Sequence, residues 1–187
     1  MQKQISNERC VVVNMFGGPG CGKSTGAAYV FAMLKMHGVN CELSTEFAKD
    51  KTWESNNKAL ECQPYVFGKQ CYRLDRCADQ VDVIITDSPL FLSMVYNKDM
   101  GIENEFSKMV LKKFNEFDNI NFLLKRLKEY NQKGRSQTLE EAKQLDEKIE
   151  QLLNITNIDY NIVDGNIDGY QKIVAAVLEK ISQQKLH

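Results

Sequence analysis

Histidine is nearly absent from this chain of 187 residues, which contains only His37 and His187, and its six cysteines include no Cys-x-x-Cys pair. Zinc sites and disulfide frameworks of small domains depend on such pairs and spacings. Cys10 and Cys41 also lie in apolar runs typical of strands. We therefore expect free thiols in a reducing compartment rather than a zinc site or a disulfide framework.

Long apolar runs are lacking too. No stretch approaches the roughly 20 residues that a membrane-spanning helix needs, and the N-terminal "MQKQISNERC" is polar, unlike a signal peptide. The formal net charge is only −1, so the chain as a whole has no strong attraction to nucleic acids or anionic lipids. These absences predict a cytoplasmic protein without a membrane partner. We expect a monomer or a homodimer, although no pattern in the sequence distinguishes the two.

The chain does contain an alternation of strand and helix patterns. Short apolar runs typical of buried strands occur at 10–16, 39–47, 81–90, 119–127 and 158–165. Helical patterns separate them, the clearest at 24–37, 138–154 and 170–184. This order predicts a single α/β domain over residues 1–187, with a parallel sheet covered by helices on both faces. Because parallel strands end at one edge, the loops that begin at Gly17, Thr45, Asp87 and Lys128 should open onto a shared site.

A glycine-rich loop follows the first strand. Its sequence "GGPGCGKST", residues 17–25, satisfies GxxxxGK[ST] between a strand and a helix. Glycines let the backbone N–H groups surround phosphate oxygens, and the helix N-terminus adds partial positive charge. Lys23 is expected to reach the β- and γ-phosphates of ATP, with Cys21 as a small filler rather than a nucleophile. The predicted nucleotide-binding residues are Gly17, Gly18, Gly20, Cys21, Gly22, Lys23, Ser24 and Thr25.

A carboxylate ends the third predicted strand, "VIITDSP". Asp87 at this position is suited to hold Mg²⁺ opposite the hydroxyl of Ser24, because Mg²⁺ prefers hard oxygen ligands. The alternative is that Asp87 only stabilises the turn before Ser88 and Pro89. Its position at a strand end beside the phosphate loop favours the metal role.

Two missing motifs separate phosphoryl transfer from other uses of a nucleoside triphosphate. The nearest match to the guanine-reading Asn-Lys-x-Asp is Asn97, Lys98 and Asp99, where the acid comes one position early and no strand precedes it. Large ATP-driven machines usually carry Asp-Glu at the strand end, whereas Asp87 is flanked by Thr86 and Ser88. A switch GTPase and a hydrolytic machine are therefore both disfavoured.

Candidate groups for the acceptor half of a kinase site follow the second and fourth strands. Glu46 and Lys49 come after the second strand and should face the γ-phosphate. The basic segment after the fourth strand, approximately 126–138, includes Arg126, Lys128 and Arg135 and is suited to form a lid that brings cations to the transferred group. The alternatives are a surface carboxylate at Glu46 and a solvated basic loop.

With these motifs, the chain resembles the nucleoside and nucleotide kinase branch of P-loop proteins. Within this branch it resembles the small AAA-type ATPase/kinase proteins of bacteriophages, which are similar to the ribosylnicotinamide kinase group. Besides the phosphate loop, the resemblance depends on "EFAKD" after the second strand, the Gln-containing helix "FGKQCYRLDR" and the basic lid. It implies a three-layer P-loop NTPase fold with a five-stranded parallel sheet in the order 2-3-1-4-5.

The same resemblance implies roles on the acceptor side. In related deoxynucleoside kinases a glutamate after the second strand receives the proton of the acceptor hydroxyl, and Glu46 occupies that place, although Phe47 stands where proline is usual. Proteins of this kind are also similar to phage kinases that phosphorylate hydroxymethylated pyrimidines within DNA, which makes DNA a candidate acceptor. A phage protein of this kind would act in the host cytoplasm.

The sequence therefore predicts an ATP- and Mg²⁺-dependent kinase for a nucleoside, nucleotide or related acceptor. Its predicted catalytic residues are Lys23, Glu46, Asp87, Arg126 and Arg135, and its metal ligands are Ser24 and Asp87. Two alternatives stay open, a kinase for a modified base in DNA and a regulator that binds ATP without transferring phosphate. Trp53, in a polar stretch, is the aromatic residue best suited to stack on an acceptor base. For Phe47, Tyr65, Phe67 and Tyr72, packing in the core is as good an interpretation of the sequence as stacking on an acceptor base.

Overall fold

The computed structural model describes residues 10–97, 104–127 and 138–184. They form a five-stranded sheet in the order β2-β3-β1-β4-β5, and all four strand pairs are parallel. The strands are β1 (Val11–Phe16), β2 (Cys41–Ser44), β3 (Val83–Thr86), β4 (Asp118–Lys125) and β5 (Asn161–Asp164). The predicted fold class and strand order are confirmed. The assignment of the whole chain to one domain remains a prediction.

Eight helices are present among the described residues: α1 (Lys23–Met36), α2 (Phe47–Trp53), α3 (Asn57–Glu61), α4 (Gln63–Ala78), α5 (Leu92–Tyr96), α6 (Glu105–Phe114), α7 (Leu139–Ile155) and α8 (Ile167–Gln184). Helix α7 begins with the predicted capping box, in which Thr138 and Glu141 satisfy each other's backbone N–H groups. Helices α5 and α6 were not assigned from the sequence. Across the described ranges, no helix is long and apolar enough to cross a membrane.

The central strand β1 is buried on both faces, which explains its continuous apolar sequence. Val11, Val13 and Met15 face a core shared with α1 and α8. Val12 and Phe16 face a second core, to which α4, α5, α6 and α7 contribute. Because successive strand residues point to opposite faces, β1 joins two helical layers to one sheet and produces the predicted three layers.

The loops that matter for function begin where these strands end. Helix α1 starts at Lys23, directly after the glycine loop, and its following turn contains Gly38 in the left-handed conformation (φ 75°). The short strand β2 leads into the turn that contains Glu46, and β3 leads into Asp87. The sheet therefore brings the glycine loop, Glu46 and Asp87 to one edge.

Candidate functional site

A cavity of about 730 Å³ lies at this edge of the sheet. Its volume falls in the range typical of small-molecule sites. The lining comes from the glycine loop, the turn after β2, helices α2 and α3, the first turns of α4, the turn after β3, and α5. The lining residues used below are Gly20, Gly22, Lys23, Ser24, Thr25, Glu46, Lys49, Trp53, Gln70, Asp87, Ser93 and Tyr96. As predicted, the phosphate loop, Glu46 and Asp87 lie together, and all three line the same cavity.

The glycine loop turns sharply because Gly17, Gly20 and Gly22 adopt positive φ angles (135°, 81° and 106°). At Gly22, a side chain would also collide with the hydroxyl of Tyr170 on α8. That hydroxyl donates a hydrogen bond to the carbonyl oxygen of Gly22 (3.0 Å). The loop shape therefore depends both on glycine and on a tyrosine contributed from the far end of the chain.

Lys23 is the first residue of α1 and lies across its own loop. Its Nζ donates hydrogen bonds to the carbonyl oxygens of Gly17 (2.5 Å) and Gly18 (3.0 Å). Burial by itself would lower the pKa of Lys23, but surrounding groups that are negative when ionised raise the pKa above its ordinary value. These groups are Cys21, Tyr96, Glu46 and Asp87. The ammonium group is therefore held charged at the donor end of the cavity.

Asp87 lies at the end of β3, is only 4% exposed, and lines the cavity. Its Oδ1 is buried without a hydrogen-bond partner. In the described ranges, no other buried side-chain nitrogen or oxygen atom lacks one. A buried carboxylate oxygen left unpaired is costly, so natural proteins retain one mainly where a ligand or ion completes it. The turn-forming role alone does not explain this oxygen.

The donor set at this position fits Mg²⁺. Ser24 and Asp87 both line the cavity and supply a hydroxyl and a carboxylate oxygen, which are hard ligands. Within the described ranges, no three His, Cys, Asp or Glu side chains form a cluster that could bind a metal ion by themselves. Mg²⁺ needs no such cluster, because it keeps several waters and is commonly shared between one or two protein ligands and substrate phosphates. The orphaned Asp87 Oδ1 and the Ser24 hydroxyl suit that mode of binding.

Glu46 faces the same cavity from the turn between β2 and α2. It is the N-cap residue of α2, yet its side chain makes no capping hydrogen bond. Burial raises the pKa of Glu46, with Asp87 raising it further and Lys23 acting in the opposite direction. The carboxylate is therefore electrostatically coupled to both of the donor-side groups and is not used to stabilise its own helix.

Arg126 follows β4 but lies outside the cavity lining. Its Nη1 donates to the carbonyl oxygen of Pro19 (2.7 Å), while Nε and Nη2 donate to Asp146 Oδ2 on α7 (3.1 and 2.8 Å). The other carboxylate oxygen of Asp146 accepts from the backbone N–H of Gly18 (2.5 Å). In this conformation Arg126 therefore anchors the phosphate loop to α7 rather than reaching the cavity. Lys128 and Arg135 lie outside the described residues, as does most of the predicted lid.

Three residues of the glycine loop do not line the cavity. Cys21 is 2% exposed and packs in the core with α1 and α8, which agrees with a filling role. Gly17 and Gly18 do not line the cavity, and the N–H of Gly18 points to Asp146. The residues of the loop that face the cavity are therefore those from Pro19 to Thr25 other than Cys21.

Among the aromatic candidates, Trp53 lines the cavity and is 73% exposed. Phe67 belongs to a core, and Phe47 is buried against the edge of the Tyr65 ring. Tyr72 is exposed and lies outside the cavity lining. Of the five aromatic residues considered from the sequence, Trp53 is the one that the fold places on the cavity wall.

Several site residues escaped the sequence analysis. Asp146 is one of many acids on α7, so no local signal distinguishes it. Tyr96 and Ser93 lie on α5, a helix of five residues without a clear periodic pattern. Gln70, by contrast, is the glutamine of the helix "FGKQCYRLDR" on which the resemblance depends, and it is a polar residue between Phe67 and Leu74 on the buried stripe of α4.

Comparison with known proteins gives both a family and related structures. A family model described as an AAA domain matches residues 12–169. A search of curated proteins gave no significant match. Deoxyadenosine kinase from M. mycoides, solved with the products dCMP and a flexible dCDP, is 19% identical with a TM-score of 0.52 over 92% of this chain and 99% of that one. The same enzyme with bound dATP is 18% identical with a TM-score of 0.52, over 91% and 99%. At these identities the likeness is one of fold.

Proposed function

This chain belongs to the AAA-domain family whose model spans residues 12–169, and we propose that it is a kinase that uses ATP and Mg²⁺ to phosphorylate a hydroxyl of a nucleoside-like acceptor. The proposal places the donor at the glycine loop and the acceptor beside Glu46. The fold shared with deoxyadenosine kinases, which were solved with dCMP, dCDP or dATP bound, supports a nucleoside-like acceptor.

The observation that carries this proposal is that Asp87, whose Oδ1 is buried without a hydrogen-bond partner, lines a cavity whose walls also include Ser24, Lys23 and Glu46. A purely structural acid at this position would satisfy both carboxylate oxygens within the protein. Instead, Asp87 keeps one buried oxygen without a partner while it lines a cavity with a hydroxyl, an ammonium group and a second carboxylate on its walls. These are the groups that in-line phosphoryl transfer requires.

The residues of the chain then have separate tasks. The loop N–H groups and Lys23 bind the phosphates of the donor, for which Lys23 exchanges the carbonyl oxygens of its own loop for phosphate oxygens. Ser24 and Asp87 would hold Mg²⁺, which supplies charge neutralisation between the β- and γ-phosphates. Glu46 orients the acceptor and receives its proton.

The transfer itself is balanced by these groups. The acceptor oxygen forms a bond to the γ-phosphorus, the bond from that phosphorus to the bridging oxygen breaks, and ADP leaves. The proton of the acceptor hydroxyl passes to Glu46. The raised pKa of Glu46 makes its carboxylate a stronger base than an ordinary exposed carboxylate, which favours this step near neutral pH.

The basic segment at 126–138 is proposed to close this site and to bring Arg126 and Arg135 to the transferred group. For Arg126 this requires leaving the carboxylate of Asp146 and the carbonyl of Pro19. A phosphate dianion is a stronger partner for a guanidinium than a carbonyl oxygen, and its greater negative charge lets it compete with the single charge of the Asp146 carboxylate. Closure would therefore be coupled to the arrival of the donor.

A second candidate function is phosphorylation of a modified base carried by DNA, and Trp53 favours it. A tryptophan that is 73% exposed at a cavity wall offers a stacking surface to a base that enters from outside the protein. Such binding would weaken steeply with added salt if several phosphates were contacted. Free nucleosides would show no such dependence.

The test is to incubate the protein with γ-labelled ATP, Mg²⁺ and separate acceptors: nucleosides, nucleotides, ribosylnicotinamide, and DNA with hydroxymethylated pyrimidines. Label in a small acceptor supports the first proposal, and label only in DNA supports the second. Label found only in inorganic phosphate, or in nothing, would contradict both and favour a regulator that binds ATP. Lys23→Ala should eliminate all transfer, with Lys35→Ala on the exposed face of α1 as the matched control.

A further inference from the structure

Gln70 is the buried polar residue on α4 that the proposed chemistry leaves without a task. It lies between Phe67 and Leu74 on the inward face of the helix and is 3% exposed. Burying a primary amide in an otherwise apolar stripe is unfavourable unless its donors and acceptor are satisfied. The partners that satisfy it therefore indicate why glutamine occupies this position.

The carboxamide of Gln70 contacts the chain on both sides of Glu46. Its Nε2 donates to Ser44 Oγ and to the carbonyl oxygen of Thr45, each at 3.3 Å. Its Oε1 accepts from the backbone N–H of Phe47 at 3.0 Å. The orientation of the amide is fixed by these partners, because a carbonyl needs a donor and an N–H needs an acceptor. Both N–H donors of Gln70 are thus directed to the turn.

Arg73 lies one helical turn further along α4. It contacts the outer side of the segment between β2 and α2 that contains Glu46. Its Nη1 donates to the carbonyl oxygen and to Oγ1 of Thr45 (2.9 and 3.1 Å). Its guanidinium also pairs with Asp50 on α2 and lies 5.4 Å from the centre of the Phe47 ring. The two side chains together bind the residues before and after Glu46, while Glu46 itself makes no capping bond.

We propose that Gln70 is the positioning residue of Glu46: it fixes the turn between β2 and α2 so that the carboxylate faces the cavity. This inference rests on the proposed function, in which Glu46 is the base. The side chain of Glu46 can approach an acceptor only from the direction that its backbone sets, and the backbone on either side is bonded to Gln70. A displacement of about 1 Å in a reacting group can cost roughly a hundredfold in rate.

The test variant is Gln70→Met, which keeps the length and approximate volume of the side chain and removes all three hydrogen bonds. We expect kcat to fall about a hundredfold while the KM for ATP stays unchanged. Gln70→Glu retains an acceptor for the N–H of Phe47 but no donor for Thr45, so it should recover part of the rate. Gln80→Met is the matched control, since Gln80 is exposed just after α4 and its side chain donates to the carbonyl oxygen of Arg76, away from the turn that contains Glu46.

The decisive comparison is a double-mutant cycle with Glu46→Gln. If Gln70 acts through Glu46, then Gln70→Met should cause no further loss of kcat in the Glu46→Gln background, within about a factor of two. Fully additive losses would overturn the proposal, because they would show that Gln70 acts independently of Glu46. A loss confined to the KM of the acceptor would also overturn it, because it would show that Gln70 acts on acceptor binding. Arg73→Met, which changes only the outer contact, gives the same comparison should Gln70→Met fail to fold.

A second readout does not depend on transfer. In the free protein, carboxyl-carbon NMR should show the pKa of Glu46 moving toward the ordinary value of about 4.3 in Gln70→Met, because a released turn is better hydrated. Hydrogen exchange at the N–H of Phe47 should accelerate. If both are unchanged, the positioning role is refuted. If the wild-type protein phosphorylates no acceptor while both changes occur, the proposed function fails and the positioning of Glu46 stands.

Discussion

Replacing Glu46 by glutamine is expected to have opposite effects on activity and on stability. The change keeps the shape of the side chain and its place in the cavity wall but removes the charge and the basicity. A positioned general base contributes about 10²–10⁴-fold to a rate. Since each factor of ten corresponds to about 1.4 kcal/mol of activation free energy, the barrier to transfer should rise by about 3–5.5 kcal/mol.

The stability effect follows from the direction of the pKa shift. Burial and then the charge of Asp87 raise the pKa of Glu46 above its unfolded value, although Lys23 opposes them. The folded state thus holds the proton more tightly than the unfolded state, so the ionised side chain makes folding less favourable as pH rises through this range. Glu46→Gln should therefore raise Tm near neutral pH, and the gain should vanish as pH falls below the ordinary carboxyl pKa of about 4.3.

The assay pairs initial rates of transfer from γ-labelled ATP with calorimetric melting at a series of pH values. The control is Glu61→Gln. This change also removes a carboxylate from the lining of the same cavity, at a position farther along the chain from the glycine loop than Glu46. Wild-type kcat in Glu46→Gln would refute the role of Glu46 as base. A lower Tm at neutral pH would refute the electrostatic reasoning, because it would mean that the ionised carboxylate is a net stabilising group.

Three further predictions address the donor side. Asp87→Asn should lose the additional rise in Tm that Mg²⁺ produces when ATP is present, since the unpartnered Oδ1 becomes a weak neutral ligand. If ATP raises the Tm of the wild-type protein equally with Mg²⁺ and with EDTA, this prediction is contradicted. Asp146→Ala should raise the Kd for ATP, because the Gly18 N–H of the phosphate loop loses its bond to Asp146; an unchanged Kd in titration calorimetry would count against this anchor. Gly22→Ala should destabilise the protein by about 1–3 kcal/mol in chemical denaturation, since φ is 106° and the new methyl group meets Tyr170. If Gly22→Ala in a Tyr170→Phe background cost nothing, the strain at this position would have come from the hydroxyl alone.

Much of the fold was predictable because its signals are local. The apolar run at Val11–Phe16, the glycines that follow it and the start of α1 at Lys23 lie within a few residues of one another. The capping box at the start of α7 is a pattern of four residues. The strand order came from the resemblance rather than from the residues, and the pairing of β1 with both β3 and β4 agrees with it.

Boundaries were less accurate where the tertiary structure decides them. The pattern from Val39 predicts a longer second strand, yet β2 covers only Cys41–Ser44 because its pairing with β3 starts at Val83. Helix α8 begins at Ile167, three residues before the predicted start at Tyr170. Helices α5 and α6 lie between the third and fourth strands, where the sequence pattern is weak and packing onto the core defines them.

The sequence by itself predicted a phosphate-binding site, because a strand, a glycine loop with Lys23 and Ser24, and a helix form such a site from consecutive residues. It also supplied Asp87 and Glu46 as candidates, each at the end of a strand. Only the tertiary structure decided how these groups are held: Asp146 reaches Gly18 across 128 positions of the chain, and Gln70 reaches Phe47 across 23. Such contacts depend on which helix face packs on which strand end, and no local periodicity in the sequence specifies them.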